Sequence, residues 1–217
     1  MKLEDMGIKG IIFDMDGTLL DSMPTWDKVG SALLQRKGIE SHEDIDERMK
    51  NIGFDEALCY YNETLELGMT LEMMKQEINA IMQEAYETVI ELKEDTKEVL
   101  QALKQKGYKL CIATATDNEL AVLALKRLGI FDDFEFVISC SDVGCWKDDP
   151  KIYQEATKML GLKEEEVVIV EDAGYCVETA KKAGFKVVGI YDASAEMETA
   201  LIRTMSDLYI LKLSEVL

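Results

Sequence analysis

Short apolar runs alternate with amphipathic stretches along much of the chain. Five runs have the length and the Ile and Val content of strands buried on both faces of a sheet. They occupy 8–13, 108–113, 134–138, 167–170 and 186–190, and a weaker run follows at 208–211. Helical patterns lie between the later runs, at 95–106, 118–128, 150–160 and 175–183. This alternation predicts a Rossmann-like α/β core, with a parallel sheet and helices on both faces.

The stretch 21–93 differs because it shows helical periodicity and no convincing strand pattern. Its predicted helices start at Pro24 and continue at 43–51, at 54–67 and from Thr70 to about Leu92. The sequence therefore predicts an α/β core domain formed by 1–20 and 94–217, with an inserted all-helical cap domain at 21–93. An insertion after the first strand lies near the sheet edge where open α/β folds bind ligands, so we expect it to act as a lid. The helix at 95–106 is predicted to begin on a capping Asp95.

Composition narrows the classes of partner. The 217 residues include 43 acidic and 24 basic side chains, and the formal net charge is −19. Such a charge disfavours nucleic acids and anionic membranes, and an anionic substrate would need a local cation or a metal. The N-terminal stretch resembles neither a signal peptide nor a membrane span, and the five cysteines form no CxxC pair, which favours a reduced cytoplasm. His42 is the one histidine, so zinc sites and Ser-His or Cys-His catalysis are disfavoured.

The strongest chemical motif is the heptapeptide DMDGTLL, which directly follows the first apolar run. That run delivers Asp14 to the carboxyl edge of the sheet, and Asp16 returns to the same side two residues later. Gly17 permits a sharp turn that brings both carboxylates around one small volume. Adjacent carboxylates repel each other, so a hard divalent cation such as Mg²⁺ or a shared proton is expected. An acidic turn without function is the less specific interpretation.

This heptapeptide resembles the motif of the haloacid dehalogenase superfamily, in its branch of phosphatases and β-phosphoglucomutases with an α-helical cap. The resemblance extends over essentially the whole chain. It implies that Asp14 attacks phosphorus to form an aspartyl-phosphate, and that Asp16 protonates the leaving group and then activates water. It also implies a Mg²⁺ ion held by the Asp14 carboxylate, the Asp16 backbone carbonyl and Asp172. Glu171 would either support these ligands from outside the coordination shell or bind the ion through a water molecule.

Three further family motifs have counterparts in the expected order. Thr114 ends the strand in CIATAT, and its hydroxyl with the N–H of Ala115 would hold a phosphoryl oxygen. Lys147 in WKDDP would neutralise the nucleophile and the transferring phosphoryl group. Glu171 and Asp172 end the run VVIV at the same predicted edge of the sheet. Each residue taken by itself also fits a structural role, and the order of all four motifs favours function.

The predicted cap departs from the β-phosphoglucomutase pattern. Phe54 falls where the mutase has an Arg for the distal phosphate, which favours hydrolysis, although Arg48 and Lys50 are nearby cations that could compensate. Trp26 falls where the mutase has His, and packing is the favoured interpretation of its position on an apolar stripe.

The predicted function is that of a Mg²⁺-dependent phosphatase, which hydrolyses a small phosphorylated metabolite. Sugar phosphates are among the candidate substrates. Two alternatives remain open: a phosphomutase of the β-phosphoglucomutase type, and a non-catalytic module that accepts or binds phosphate. No nucleic-acid or membrane partner is expected. The sequence does not define the oligomeric state, for which a monomer is preferred.

Overall fold

A computed structural model describes residues 2–39 and 54–217, without the side chain of Phe54. The chain divides into two compact units, one formed by Met1–Ser22 with Glu91–Leu217 and the other by Met23–Ile90. The sequence placed the corresponding boundaries at 20/21 and 93/94. The predicted helix at 43–51 and the residues His42, Arg48 and Lys50 lie outside the described residues.

The larger unit is built on a six-stranded parallel sheet with the strand order β3-β2-β1-β4-β5-β6. The strands are β1 (Gly10–Phe13), β2 (Lys109–Thr114), β3 (Val137–Ser139), β4 (Val167–Glu171), β5 (Lys186–Ile190) and β6 (Leu208–Ile210). All six apolar runs of the sequence therefore form strands, and the predicted α/β fold class is confirmed. The first strand lies at the centre, between β2 and β4, because the chain adds β2 and β3 on one side of β1 and then crosses to the other side to form β4, β5 and β6.

Helices cover the sheet and bury both of its faces. Those of this unit are α5 (Thr96–Gln105), α6 (Asn118–Leu128), α7 (Cys140–Val143), α8 (Lys151–Met159), α9 (Gly174–Lys182) and α10 (Thr199–Met205). Ile12 packs in one cluster with Ile152 of α8 and Val177 of α9. Its neighbours Ile11 and Phe13 point to the opposite face and are also fully buried. The helices α7 and α10 were not predicted, because short helices carry little periodic signal.

The smaller unit contains four described helices: α1 (Met23–Trp26), α2 (Val29–Arg36), α3 (Phe54–Thr64) and α4 (Leu71–Thr88). The helix expected from Pro24 is interrupted at Asp27–Lys28, so the apolar stripe of the sequence is shared between two helices. Thr70 caps α4 by accepting a hydrogen bond from the backbone N–H of Met73. No helix in the described parts of the chain has the length and apolar character required to cross a membrane.

The predicted capping role of Asp95 is wrong. Asp95 precedes α5, but its backbone is left-handed, with φ of 67°, and its side chain makes no capping hydrogen bond. The carboxylate instead accepts a hydrogen bond of 2.8 Å from the Ser214 hydroxyl near the end of the chain. Aspartate tolerates this backbone conformation better than most residues, and a distant partner has replaced the local one.

Candidate active site

The sheet order brings the ends of three strands together. Because β1 lies between β2 and β4, the residues that follow these strands meet at one edge of the sheet. Phe13 is in register with Ile112 of β2 and Val170 of β4, so Asp14 directly follows the central strand. The backbone N–H of Asp14 donates a 3.0 Å hydrogen bond to the Val170 carbonyl, which extends the β1–β4 pairing to the candidate nucleophile.

A buried lysine joins two of the predicted acids. Lys147, on the loop between α7 and α8, is only 2% exposed. Its Nζ donates a hydrogen bond to Asp14 Oδ1 and another, of 2.7 Å, to Glu171 Oε1. The Tyr153 hydroxyl of α8 donates to the same Glu171 oxygen over 2.8 Å. The result is a continuous buried chain from Tyr153 through Glu171 and Lys147 to Asp14.

Asp172 completes an acidic group with Asp14 and Glu171. One carboxylate oxygen from each of these buried residues lies within 4.8 Å of the others, which is close enough for a shared metal ion. The Thr18 hydroxyl, from the same heptapeptide as Asp14, donates a 3.0 Å hydrogen bond to Asp172 Oδ1. Carboxylate oxygens are the ligands that hard divalent cations prefer, so the donor set fits such an ion.

The charges of this group also fit a divalent cation. Three carboxylates and one ammonium leave two negative charges in a buried volume when all four are ionised. Burial raises the pKa of Glu171, and burial together with the Asp14 carboxylate raises the pKa of Asp172 well above its ordinary range. Burial by itself would lower the pKa of Lys147, but the Asp14 and Glu171 carboxylates outweigh it and raise that pKa. Lys147 therefore stays cationic, and the excess negative charge of the three carboxylates is balanced either by bound protons or by a cation.

Asp16 lies near this edge of the sheet but its carboxylate is not part of the three-acid group. Its Oδ2 accepts a 2.7 Å hydrogen bond from the Thr116 hydroxyl, on the loop that follows β2. Asp14 is buried and Asp16 is half-buried, so the two acids of the motif occupy different environments. Such a separation suits one acid that carries a metal ion or phosphoryl group and another that exchanges protons with the surroundings.

Thr114 is the last residue of β2 and is buried. Its hydroxyl oxygen accepts a 3.0 Å hydrogen bond from the backbone N–H of Thr116. That bond closes a tight turn at the end of the strand, which includes Ala115. Because β2 is adjacent to β1, the turn lies on the same edge of the sheet as Asp14. Thr114 and Ala115, which the sequence predicts to hold a phosphoryl oxygen, are therefore on the same edge of the sheet as Asp14.

Three polar residues beside the predicted ones were given no role by sequence reasoning. Thr18 lies within the DMDGTLL heptapeptide, and Thr116 lies within CIATAT. Both belong to recognised motifs, but nothing in the sequence distinguishes them from ordinary turn residues. Tyr153 lies on an apolar helix stripe, where an aromatic residue normally indicates packing. The hydroxyl group of such a tyrosine indicates a role in the site only when it contacts a buried acceptor, as it contacts Glu171 here.

The predicted cap residues are only partly described. Trp26 is half-buried, and its indole N–H donates a 3.2 Å hydrogen bond to the Tyr86 hydroxyl of α4 within the same unit. This contact agrees with the packing interpretation. The side chain of Phe54 lies outside the described residues, so its replacement of the mutase Arg stays a prediction.

Comparison with known proteins places this geometry in a family. The model of the haloacid dehalogenase-like hydrolase family matches residues 11–190. The chain belongs to the haloacid dehalogenase-like hydrolases. The resemblance on which the sequence interpretation rested is thereby confirmed, and so is the prediction of a hydrolytic enzyme.

Relatives of known name extend over nearly the full chain. A phosphorylated carbohydrates phosphatase of Thermotoga maritima is 29% identical, over 94% of this chain and 99% of the relative. A beta-phosphoglucomutase of Bacillus subtilis is 27% identical, over 93% of this chain and 92% of the relative. The crystal structure of a candidate beta-phosphoglucomutase from Thermotoga maritima superposes with a TM-score of 0.82 at 27% identity, and covers 96% of each chain. The names of these relatives include both phosphatases and phosphomutases.

Proposed function

We propose that this hydrolase is a Mg²⁺-dependent phosphatase that acts on a small phosphomonoester through an aspartyl-phosphate on Asp14. The observation that carries the proposal is the buried contact of Asp14 with Lys147, beside the carboxylates of Glu171 and Asp172. An ionised carboxylate is a nucleophile that requires no separate base, and Lys147 supplies a fixed positive charge next to it. The relative from Thermotoga maritima is named a phosphatase, which supports this reaction class.

The two half-reactions assign separate tasks to Asp14 and Asp16. In the first, an Asp14 oxygen attacks phosphorus, the bond from phosphorus to the ester oxygen breaks, and the departing oxygen takes a proton from the neutral carboxyl of Asp16. In the second, the Asp16 carboxylate takes a proton from water, whose oxygen attacks phosphorus. The bond from phosphorus to Asp14 then breaks, inorganic phosphate leaves, and both aspartates return to their starting forms.

Asp14 and Asp172 would hold the metal ion together with the Asp16 backbone carbonyl, the further ligand that the family resemblance implies, and Glu171 would act behind these ligands or through a water molecule. Magnesium suits this all-oxygen donor set, and when bound it supplies positive charge that offsets the developing charge on the phosphoryl oxygens. Lys147 orients the Asp14 carboxylate through its hydrogen bond to Oδ1. The Thr114 hydroxyl and the Ala115 N–H are proposed to hold a phosphoryl oxygen.

The proposed substrate is a small phosphorylated metabolite, with sugar phosphates as the first class to test. The Thermotoga relative is named for phosphorylated carbohydrates, and the Bacillus relative for a phosphoglucose. The net charge of −19 disfavours polyanionic substrates. Location in the cytoplasm and the lack of nucleic-acid or membrane partners stay predictions from composition.

A phosphomutase of the β-phosphoglucomutase type is the second candidate, because the Bacillus relative and the Thermotoga structure carry that name. Supplying a hexose 1-phosphate distinguishes the two reactions. We expect free inorganic phosphate from the phosphatase. Formation of the 6-phosphate without phosphate release would instead establish the mutase.

Aspartate variants test the proposed mechanism. Asp14→Asn should abolish Mg²⁺-dependent release of phosphate from a panel of phosphomonoesters, because the nucleophile is lost. Asp16→Asn should slow release severely while an acid-stable phosphate label accumulates on the protein. Asp132→Asn is the matched control, since this exposed aspartate precedes β3 and therefore lies away from the carboxyl ends of the strands, where the site is. Wild-type turnover in Asp14→Asn, or a wild-type protein inactive on the whole panel, would refute the proposal.

A further inference from the structure

Thr116 lies directly opposite the general acid of the proposed reaction. It follows β2, whereas Asp16 follows β1, and these adjacent parallel strands are in register at Phe13 and Ile112. The two residues are separated by 100 positions in the chain, yet Thr116 Oγ1 donates a 2.7 Å hydrogen bond to Asp16 Oδ2. The contact thus depends on the pairing of the two central strands.

The threonine is itself held in place. Its backbone N–H donates to the Thr114 hydroxyl oxygen over 3.0 Å, and Thr116 is 7% exposed. A β-branched side chain has few accessible χ1 rotamers, so a fixed backbone also restricts the position of Oγ1. The end of β2 therefore presents a hydroxyl group in a defined place, and Asp16 is the side chain that meets it.

We infer that Thr116 is a positioning residue that holds the Asp16 carboxyl in the orientation required for proton transfer. The inference rests on the proposed function, in which Asp16 protonates the leaving group and activates water. Proton transfer requires the carboxyl to reach the reacting oxygen at hydrogen-bond distance, and small errors in position cost large factors in rate. Asp16 is half-buried and directly precedes the turn at 17–19, so an anchor from the neighbouring strand restricts its rotation.

A hydroxyl group is suited to this position for a second reason. It donates a hydrogen bond to a carboxylate and accepts one from a neutral carboxyl, whereas an ammonium or an indole only donates. Thr116 can therefore keep its contact with Asp16 before and after each proton transfer. A lysine in the same place would favour the ionised form of Asp16 over the neutral form.

The test compares substrates whose leaving groups differ in their need for a proton. An alkyl phosphate, such as glycerol phosphate or a sugar phosphate, requires protonation of the departing oxygen, whereas para-nitrophenyl phosphate releases a stable anion. Thr116→Val removes the hydroxyl with little change in shape. We expect kcat/KM to fall about 100-fold for the alkyl phosphate and much less for para-nitrophenyl phosphate. Thr116→Ser, which restores a hydroxyl, should recover most of the loss.

Thr157→Val is the matched control, because Thr157 is a buried threonine whose hydroxyl donates to the Tyr153 carbonyl within α8. It should leave the ratio of the two kcat/KM values unchanged. Urea unfolding of each variant separates loss of folding from loss of positioning, and Thr116→Ala provides a second variant without the hydroxyl. Equal losses on both substrates, or no loss in folded Thr116→Val, would overturn the inference. A wild-type protein without turnover would refute the proposed function instead.

A second readout follows the covalent intermediate. If Thr116 also orients Asp16 for the attack of water, the phosphate label on Asp14 should accumulate in Thr116→Val during turnover of para-nitrophenyl phosphate. Rapid acid quench and measurement of protein-bound phosphate detects it. A steady-state label no greater than that of the wild type would contradict this part of the inference.

Discussion

Replacing Lys147 with methionine tests the charge balance of the buried group. Lys147 is 2% exposed, and its two carboxylate partners, Asp14 and Glu171, are 9% and 1% exposed at their side chains. Methionine is similar in length, so the variant removes the charge and two hydrogen bonds without opening a large cavity. Three carboxylates would then share a buried volume without the ammonium that links two of them.

The expected magnitude follows from these contacts. Each hydrogen bond to a charged partner contributes about 1.5–3 kcal/mol, and removal of one member of a buried ion pair costs about 3–5 kcal/mol. We therefore expect the free energy of unfolding of metal-free Lys147→Met to fall by about 3–5 kcal/mol near neutral pH. The loss should shrink as pH falls, because protonated carboxyls no longer need the lysine. It should also shrink when magnesium is added, because the ion offsets the same charge.

Urea unfolding measured with a chelator and with magnesium provides the assay, together with turnover of para-nitrophenyl phosphate. Turnover should fall at least about 100-fold, since a charge beside the transferring phosphoryl group is lost. Lys181→Met is the matched control, because Lys181 pairs with Asp207 at the surface, where an ion pair contributes about 0–1 kcal/mol. If both variants lost the same stability in chelator, or if Lys147→Met kept full turnover, the assigned role of Lys147 would be wrong.

Three further predictions concern the metal, a buried hydroxyl and a strained backbone. Burial raises the pKa of Glu171 to about 7, so the folded protein without metal retains a proton that a cation must displace at lower pH. Magnesium should therefore raise the melting temperature more above pH 7 than below it. An equal shift at all pH values would contradict that linkage. Tyr153→Phe should lower the free energy of unfolding by about 1–3 kcal/mol in urea, because Glu171 loses a donor; an unchanged midpoint would argue against this contact. Asp95→Ala should cost about 1–2 kcal/mol, since alanine is disfavoured at φ of 67° and the Ser214 contact is lost, whereas Asp95→Asn should cost less.

The sign of the magnesium prediction follows from proton binding. A carboxyl whose pKa is raised on folding binds more protons in the folded than in the unfolded chain. Metal-free stability from Glu171 therefore decreases as pH rises from the ordinary carboxyl pKa to the raised folded pKa, and stays at its lower level above that pKa. Magnesium binding reverses this trend, because the ion takes the place of the protons and favours the ionised ligands.

Local patterns were sufficient for the sheet and for the acids at its edge. Apolar runs bounded by polar residues predict buried strands without knowledge of their order. Asp14 directly follows one such run, and Glu171 with Asp172 follows another. The errors occurred where local signals compete with distant contacts. Asp95 has the residue type and position of a helix cap, but its carboxylate contacts Ser214, which is 119 positions away.

The sequence by itself determined which residues end the strands, because hydrophobic periodicity and the DMDGTLL heptapeptide are properties of neighbouring positions. Only the tertiary structure decided which of those residues meet. The link between Lys147 and Asp14 spans 133 positions, and the link between Thr116 and Asp16 spans 100. Both exist because β1 lies between β2 and β4, an order that periodicity does not encode. That order places Glu171 among the carboxylates near Asp14, and gives Asp16 a threonine partner of its own.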